Sequence, residues 1–135
     1  MANRPLPETD ALAGAFWAGA AEKRLLIQRC KDCGGFQHYA RPRCLSCNGS
    51  NLEMVEAGGR GRIYSFTVVQ RSPYEDLPSP YVVALVRLQE GIVMLSHIVD
   101  CAPGDVRCDL DVELTFQEIA DSVSLPVFRP IGNRP

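Results

Sequence analysis

Cys30-Lys31-Asp32-Cys33-Gly34-Gly35 and Cys44-Leu45-Ser46-Cys47-Asn48-Gly49 are two copies of one pattern, with ten residues between Cys33 and Cys44. Two CxxC pairs offer four soft thiolates to one tetrahedral ion, and Zn²⁺ suits such a set best. Each second cysteine is followed by Gly or Asn and then Gly. Those residue types tolerate positive φ, so the chain can curl and aim backbone N–H groups at the sulfurs. The ten-residue gap is shorter than is common between zinc knuckles but leaves room for a tight ribbon hairpin. Disulfides or redox CxxC pairs are the alternatives. A thioredoxin-like motif needs a βαβ context, and none is visible. Cys30, Cys33, Cys44 and Cys47 are therefore the candidate ligands of a structural zinc.

The flanking sequence reads as the strands of that ribbon. Residues 25–29 lead into the first knuckle, 36–39 lead away from it, Pro42 breaks the chain, and 52–57 return from the second knuckle. So small a ribbon has little core of its own, and the metal must contribute most of its folding energy. Upstream, 9–23 reads as a helix with Thr9 or Asp10 as N-cap and Leu12, Phe16 and Gly19 or Ala20 on one stripe. Lys23 and Arg24 stand near its C-terminal end. Trp17 falls off that stripe, as an exposed aromatic anchor or as a side chain packed on a neighbouring element.

Beyond Gly58-Gly59-Arg60-Gly61 the pattern is all β. Residues 62–71, 81–89, 92–99, 111–118 and 124–128 read as five short strands, with Val112, Leu114 and Phe116 on one face. The loop 72–80 holds three prolines. No helix is evident between the third and fourth of these strands. Five strands with Gly and Pro punctuation fit a small closed OB-type barrel, with a sandwich fragment as the alternative. The predicted division is a helical segment at 1–24, a zinc ribbon at 25–57, an OB-fold barrel at 58–129 and a tail at 130–135. The fold class is mainly β.

The chain has 135 residues, 46% of them hydrophobic and 22% charged, as for an ordinary soluble domain. The longest apolar runs, such as 81–86, fall far short of the ~20 residues of a membrane span. Met1-Ala2-Asn3-Arg4-Pro5 lacks the apolar core of a signal peptide. The expected compartment is the reducing cytoplasm, with Cys101 and Cys108 as free, partly buried thiols.

The formal net charge is −2. Residues 22–62 hold eight basic and four acidic side chains, whereas 91–121 hold seven acidic ones and only Arg107. Such a dipolar surface suits an acidic ligand group or a charged partner near the ribbon.

The whole arrangement resembles one known family. Phe16-Trp17 in an N-terminal helix precedes Leu26-Ile27-Gln28-Arg29-Cys30, and Arg41-Pro42-Arg43-Cys44 follows. Then come Gly59-Arg60-Gly61-Arg62-Ile63-Tyr64-Ser65-Phe66-Thr67-Val68-Val69, Pro80-Tyr81-Val82-Val83-Ala84-Leu85-Val86 and Leu125-Pro126-Val127-Phe128-Arg129-Pro130. Together these resemble the DUF35 family, acyl-CoA-associated proteins with a rubredoxin-like zinc ribbon and an OB fold. Leu45 stands where many members have Pro. The resemblance implies zinc at the four cysteines, no catalytic residue of the chain's own, and a companion role. The implied partner is a thiolase-superfamily enzyme, of thiolase or sterol side-chain aldolase type, acting on an acyl-CoA. A hot-dog-fold hydratase is the alternative partner.

The remaining chemistry agrees. Four thiolates close a zinc site, whereas a catalytic zinc keeps an open position. His38 is the one conceivable substitute ligand, but its spacing is wrong for a knuckle. His97 reads as a hydrogen-bonded barrel histidine. No GxSxG, P-loop or GxGxxG is present. Cys101 lacks a basic neighbour in sequence to activate it. For binding an acyl-CoA or a partner, the candidates are Phe16, Trp17, Arg24, Arg41, Arg43 and Arg60, with Tyr74 on the proline-rich loop as a flap. Arginines suit phosphates, and an apolar groove suits the pantetheine arm. A zinc ribbon joined to an OB barrel also occurs in nucleic-acid binding, but the overall acidity argues against that rival.

Overall fold

In the computed structural model of this protein, residues 6, 13–75, 77–121 and 123–131 are described. The expected caps Thr9 and Asp10 lie outside them. The helix α1 spans Gly14–Ala21 and buries Gly19 and Ala20. It ends two residues earlier than its sequence pattern implies. Lys23 turns into the left-handed region (φ 65°). Its N–H bonds Ala20 O, and the Arg24 N–H bonds Gly19 O at 2.8 Å. These two bonds form a Schellman closure that stops the helix.

The ribbon is a three-stranded antiparallel sheet in the order β2-β1-β3, formed by β1 (Leu26–Cys30), β2 (Phe36–Gln37) and β3 (Leu52–Glu56). β1 holds the centre, with Gln28 opposite Gln37 on one side and Met54 on the other.

The barrel strands are β4 (Arg60–Val69), β5 (Tyr81–Leu88), β6 (Val93–Ile98), β7 (Asp111–Ala120) and β8 (Val123–Pro130). They close in the order β4-β5-β6-β8-β7, with β4 pairing back to β7. The seam between β6 and β8 is parallel, at Ile98 and Phe128. Five antiparallel strands with one parallel closure form the OB arrangement, so the sandwich alternative falls away. A single 3-10 turn, Pro103–Asp105, stands where a helix would join the third and fourth barrel strands. β8 runs two residues further than the sequence pattern implies. Arg129 there is held by Glu113 across the ladder at 3.1 Å.

One core serves both modules. Leu25 and Ile27 of the ribbon pack with Ile63, Val86, Val112 and Phe128 of the barrel. Two glycines permit the junction. Gly59 has φ +87°, and the backbone at Gly61 is so close to β5 that a Cβ would lie 2.5 Å from the Arg87 carbonyl oxygen. Glu90 accepts the Gly58 N–H at 2.9 Å and clamps the bend. Among the described residues no helix is long and apolar enough to cross a membrane.

Candidate metal centre and adjoining groove

The two knuckles fold as the repeated sequence implies. Gly34 and Asn48 both take positive φ, 77° and 63°. Each knuckle is closed by an N–H four residues on: Gly34 to Cys30 O at 2.8 Å, and Asn48 to Cys44 O at 2.9 Å. The Cys30 N–H bonds Gly35 O, and the Cys44 N–H bonds Gly49 O, both at 2.8 Å. The knuckles are thus near copies in structure as well as in sequence.

The four sulfurs lie within 4.8 Å of one another. Cys30 Sγ to Cys47 Sγ and Cys33 Sγ to Cys44 Sγ are both 3.6 Å. A Zn–S distance of about 2.3 Å in a tetrahedron requires S···S edges of about 3.8 Å, so the donor set fits the ion. Cys30 and Cys44 are buried, and Cys33 and Cys47 are exposed. The N–H groups of Cys47 and Ser46 hold the Cys44 thiol down at about 6. Cys47 accepts the Gly49 N–H yet is pushed up to about 12, because the Cys30 sulfur shares its proton. A divalent cation displaces such protons on binding. The arrangement fits a closed structural zinc; His38 is not among the clustered ligands.

Beside the metal centre lies a groove of about 560 Å³ between α1, the ribbon and the outer face of β5, β6 and β8. Phe16, Trp17 and Tyr74 all line it, and the loop bearing Tyr74 reaches its edge together with Leu77. Trp17 is half-buried and packs edge-on against Phe16, with ring centroids 4.9 Å apart. Phe16 in turn meets His38 at 5.1 Å. Burial lowers the His38 pKa to about 4, so the ring is neutral at pH 7.

The four candidate arginines do not join these aromatics. Arg24 bonds Glu56 at 3.3 Å. Arg41 meets Gln28 through its backbone, and the Arg43 guanidinium bonds Asn48 O at 3.2 Å. Arg60 lines a second groove of about 490 Å³ on the barrel, with Arg62, Arg87 and Asp111. The sequence set therefore splits into an aromatic group at one groove and scattered arginines elsewhere.

Other groove residues escape the sequence reading, notably Tyr39, Met54, Tyr81, Leu95 and His97. A signal for two of them exists. Val83 faces His97, and Leu85 faces Leu95, on the outward side of β5 and β6. An exposed barrel face should alternate with polar residues, so apolar residues on the outward side mark a face set apart from plain solvent-facing surface.

Cys101 is a poor nucleophile. Burial, and then Asp105, raise the Cys101 pKa. Cys108 is exposed rather than partly buried as expected, because it sits in the turn before β7.

Comparisons with known proteins agree with this geometry. Residues 17–53 match the family described as "ChsH2, rubredoxin-like zinc ribbon domain", and 54–117 match "ChsH2, C-terminal OB-fold domain". The chain is 39% identical over 130 residues to a probable enoyl-CoA hydratase alpha subunit of Thermomonospora curvata, covering 96% of this chain and 40% of that protein. It is 32% identical over 133 residues to a DUF35 domain-containing scaffold protein of Methanocaldococcus jannaschii, covering 92% and 94%. It is 33% identical over 97 residues to the benzoylsuccinyl-CoA thiolase subunit BbsA of Thauera aromatica, covering 70% and 64%. Among solved structures, the "Ltp2-ChsH2(DUF35) aldolase" superposes with a TM-score of 0.86 at 35% identity, covering 92% of this chain and 98% of that one. The chain thus spans less than half of the hydratase subunit but nearly all of the scaffold protein. With two family profiles covering its ribbon and most of its barrel, and relatives matched over almost its full length, this chain belongs to the DUF35 family of zinc-ribbon and OB-fold proteins.

Proposed function

We propose that this protein is a non-catalytic companion subunit of a thiolase-superfamily enzyme, of thiolase or aldolase type, and helps that enzyme handle an acyl-CoA. One observation carries the reading. The chain pairs a closed four-thiolate site with a sizeable groove whose described lining includes no Cys, Asp, Glu, Lys or Arg. Such a surface is suited to binding and shaping an apolar group, and a closed four-thiolate site leaves no open position for a metal-bound water. The relatives named as a scaffold protein, a thiolase subunit and part of an aldolase support the same role. In this reading the partner contributes nucleophile and base, and this chain contributes a wall beside the substrate. Four thiols gathered for a metal suit a reducing compartment, and the proposed location is the cytoplasm.

A hydratase partner is the second reading, favoured by the 39% identity to a hydratase alpha subunit. Nucleic-acid binding fits poorly. Arg24, Arg29, Arg62 and Arg129 are each paired with a carboxylate, which breaks up any basic stripe.

Purifying the tagged chain from its native cell and identifying what accompanies it tests the proposal. A thiolase or aldolase subunit supports the first reading, and a hydratase subunit supports the second. Recovery without any acyl-CoA enzyme contradicts both.

A further inference from the structure

We infer that the groove between α1, the ribbon and the barrel is itself a binding site for the uncharged, apolar end of a ligand, the acyl group of a thioester, and leaves the charged carrier outside.

The chemistry of the walls is selective. Among the described residues lining the groove there is no Asp, Glu, Lys or Arg. Two of its polar side chains are engaged within the protein. Gln28 donates to Arg41 O and accepts from the Arg41 N–H, both at 2.9 Å, and also accepts from Gln37. Ser96 Oγ donates to Pro126 O at 2.9 Å. A phosphate or carboxylate placed there would lose its water and meet no Lys or Arg, at a cost of several kcal/mol. An alkyl chain or ring loses nothing.

Shape points the same way. The volume of about 560 Å³ falls within the ~300–1,000 Å³ usual for small-molecule sites. The floor reaches the packed core at Ile27 and Val127, both almost fully buried, whereas a flat protein-docking face would not. Met54 and Met94 line it too, and their flexible thioethers adapt to irregular hydrocarbon. Leu95, on the outer wall, is 54% exposed although apolar.

This inference takes the identity of the carrier from the acyl-CoA reading; the apolar selectivity stands on the groove alone. Trp17 is the single tryptophan of the chain and lines the groove, so its emission reports occupancy. The full-length chain, without a partner, is titrated with octanoyl-CoA, with the neutral steroid androstenedione and with free CoA. The inference predicts a saturable change with octanoyl-CoA or the steroid and none with free CoA. The first two arms separate an aliphatic from a polycyclic preference. Leu95→Glu, at an exposed position, should weaken that binding roughly tenfold or more by placing a charge against the ligand, with the unfolding temperature unchanged.

Equal responses to CoA and octanoyl-CoA, or none to either apolar probe, would overturn the inference. Loss of partner association in Leu95→Glu, with no ligand binding in the parent chain, would instead make the groove a docking site for the partner. A chain that joins an acyl-CoA enzyme yet binds neither probe refutes the inference and spares the companion role. A chain that binds the probes but joins no such enzyme does the reverse.

Discussion

The side-chain amide of Gln37 donates to the side-chain oxygen of Gln28 at 2.7 Å, in the buried middle of the ribbon. The two residues face each other across β1 and β2, and between them they tie down the chain that links the knuckles. Gln28 holds both backbone groups of Arg41. Gln37 accepts the Leu45 N–H at 2.9 Å and donates to Arg43 O at 3.2 Å. The loop that forms one wall of the groove and delivers Cys44 to the metal therefore hangs on two glutamines.

Replacing Gln37 by Leu removes those bonds while keeping similar bulk. It leaves Leu45 N–H, Arg43 O and part of Gln28 unpaired, which should cost about 2–4 kcal/mol. Urea unfolding measures the loss. Zinc transfer to a chromogenic chelator should also be faster than from the parent chain.

This pair also shows where sequence reading stops. The CxxC repeats declare their chemistry because four thiolates at that spacing have few other uses. The Gly and Asn residues after them declare the turns, and both appear in the structure at Gly34 and Asn48. The barrel strands show themselves through alternation and β-branched runs. Gln28 and Gln37 carry no such mark, since an isolated Gln in a short strand looks like a solvated residue. The groove is hidden for a related reason. Its walls come from α1, the ribbon, the proline-rich loop and the barrel, and only tertiary packing brings Trp17, Tyr74 and Leu95 together. The pairing of the arginines is hidden too, because composition reports their number, whereas the fold turns Arg24 to Glu56 and Arg62 to Asp111.

Metal removal should unfold the ribbon first. The ribbon sheet is small, and the four sulfurs join its two ends. Trp17, on α1, lines the groove together with residues of that sheet, so chelation should shift its emission to the red and lower the unfolding temperature. Elemental analysis should find one zinc per chain before chelation. An unshifted spectrum after complete metal loss would show that the ribbon stands without the ion.

Gly61 and Gly104 make a contrasting pair. An alanine methyl at Gly61 would press on the Arg87 backbone, whereas nothing lies within 4 Å of the corresponding point at Gly104. Backbone cannot yield as a flexible side chain does, so Gly61→Ala should cost about 3 kcal/mol, the upper end for overpacking. Gly104→Ala should stay within about 0.5 kcal/mol of the parent chain. Thermal unfolding of the two variants checks both.

The pH dependence follows from His38. Its pKa falls from 6.5 to about 4 on folding, because burial disfavours the charged ring. Protonation therefore favours the unfolded chain. The contribution of the neutral ring is fully present above pH 6.5 and is lost as the pH falls toward 4. His38 is half-buried; allowing for water on its exposed side, the loss between pH 7 and pH 5 should be about 1–2 kcal/mol. His38→Asn should lack that portion of the slope. Urea unfolding of both proteins at the two pH values isolates it, since any acid effect on the thiolates is common to both.

The most direct test of the companion role is a rate. The acyl-CoA enzyme that co-purifies with this chain should be assayed alone and with the chain added, beside the chain by itself. The account predicts no turnover by the chain alone and at least about a tenfold gain for the enzyme on adding it, equivalent to ~1.4 kcal/mol. Turnover of an acyl-CoA by the isolated chain, or a partner equally active without it, would contradict the account.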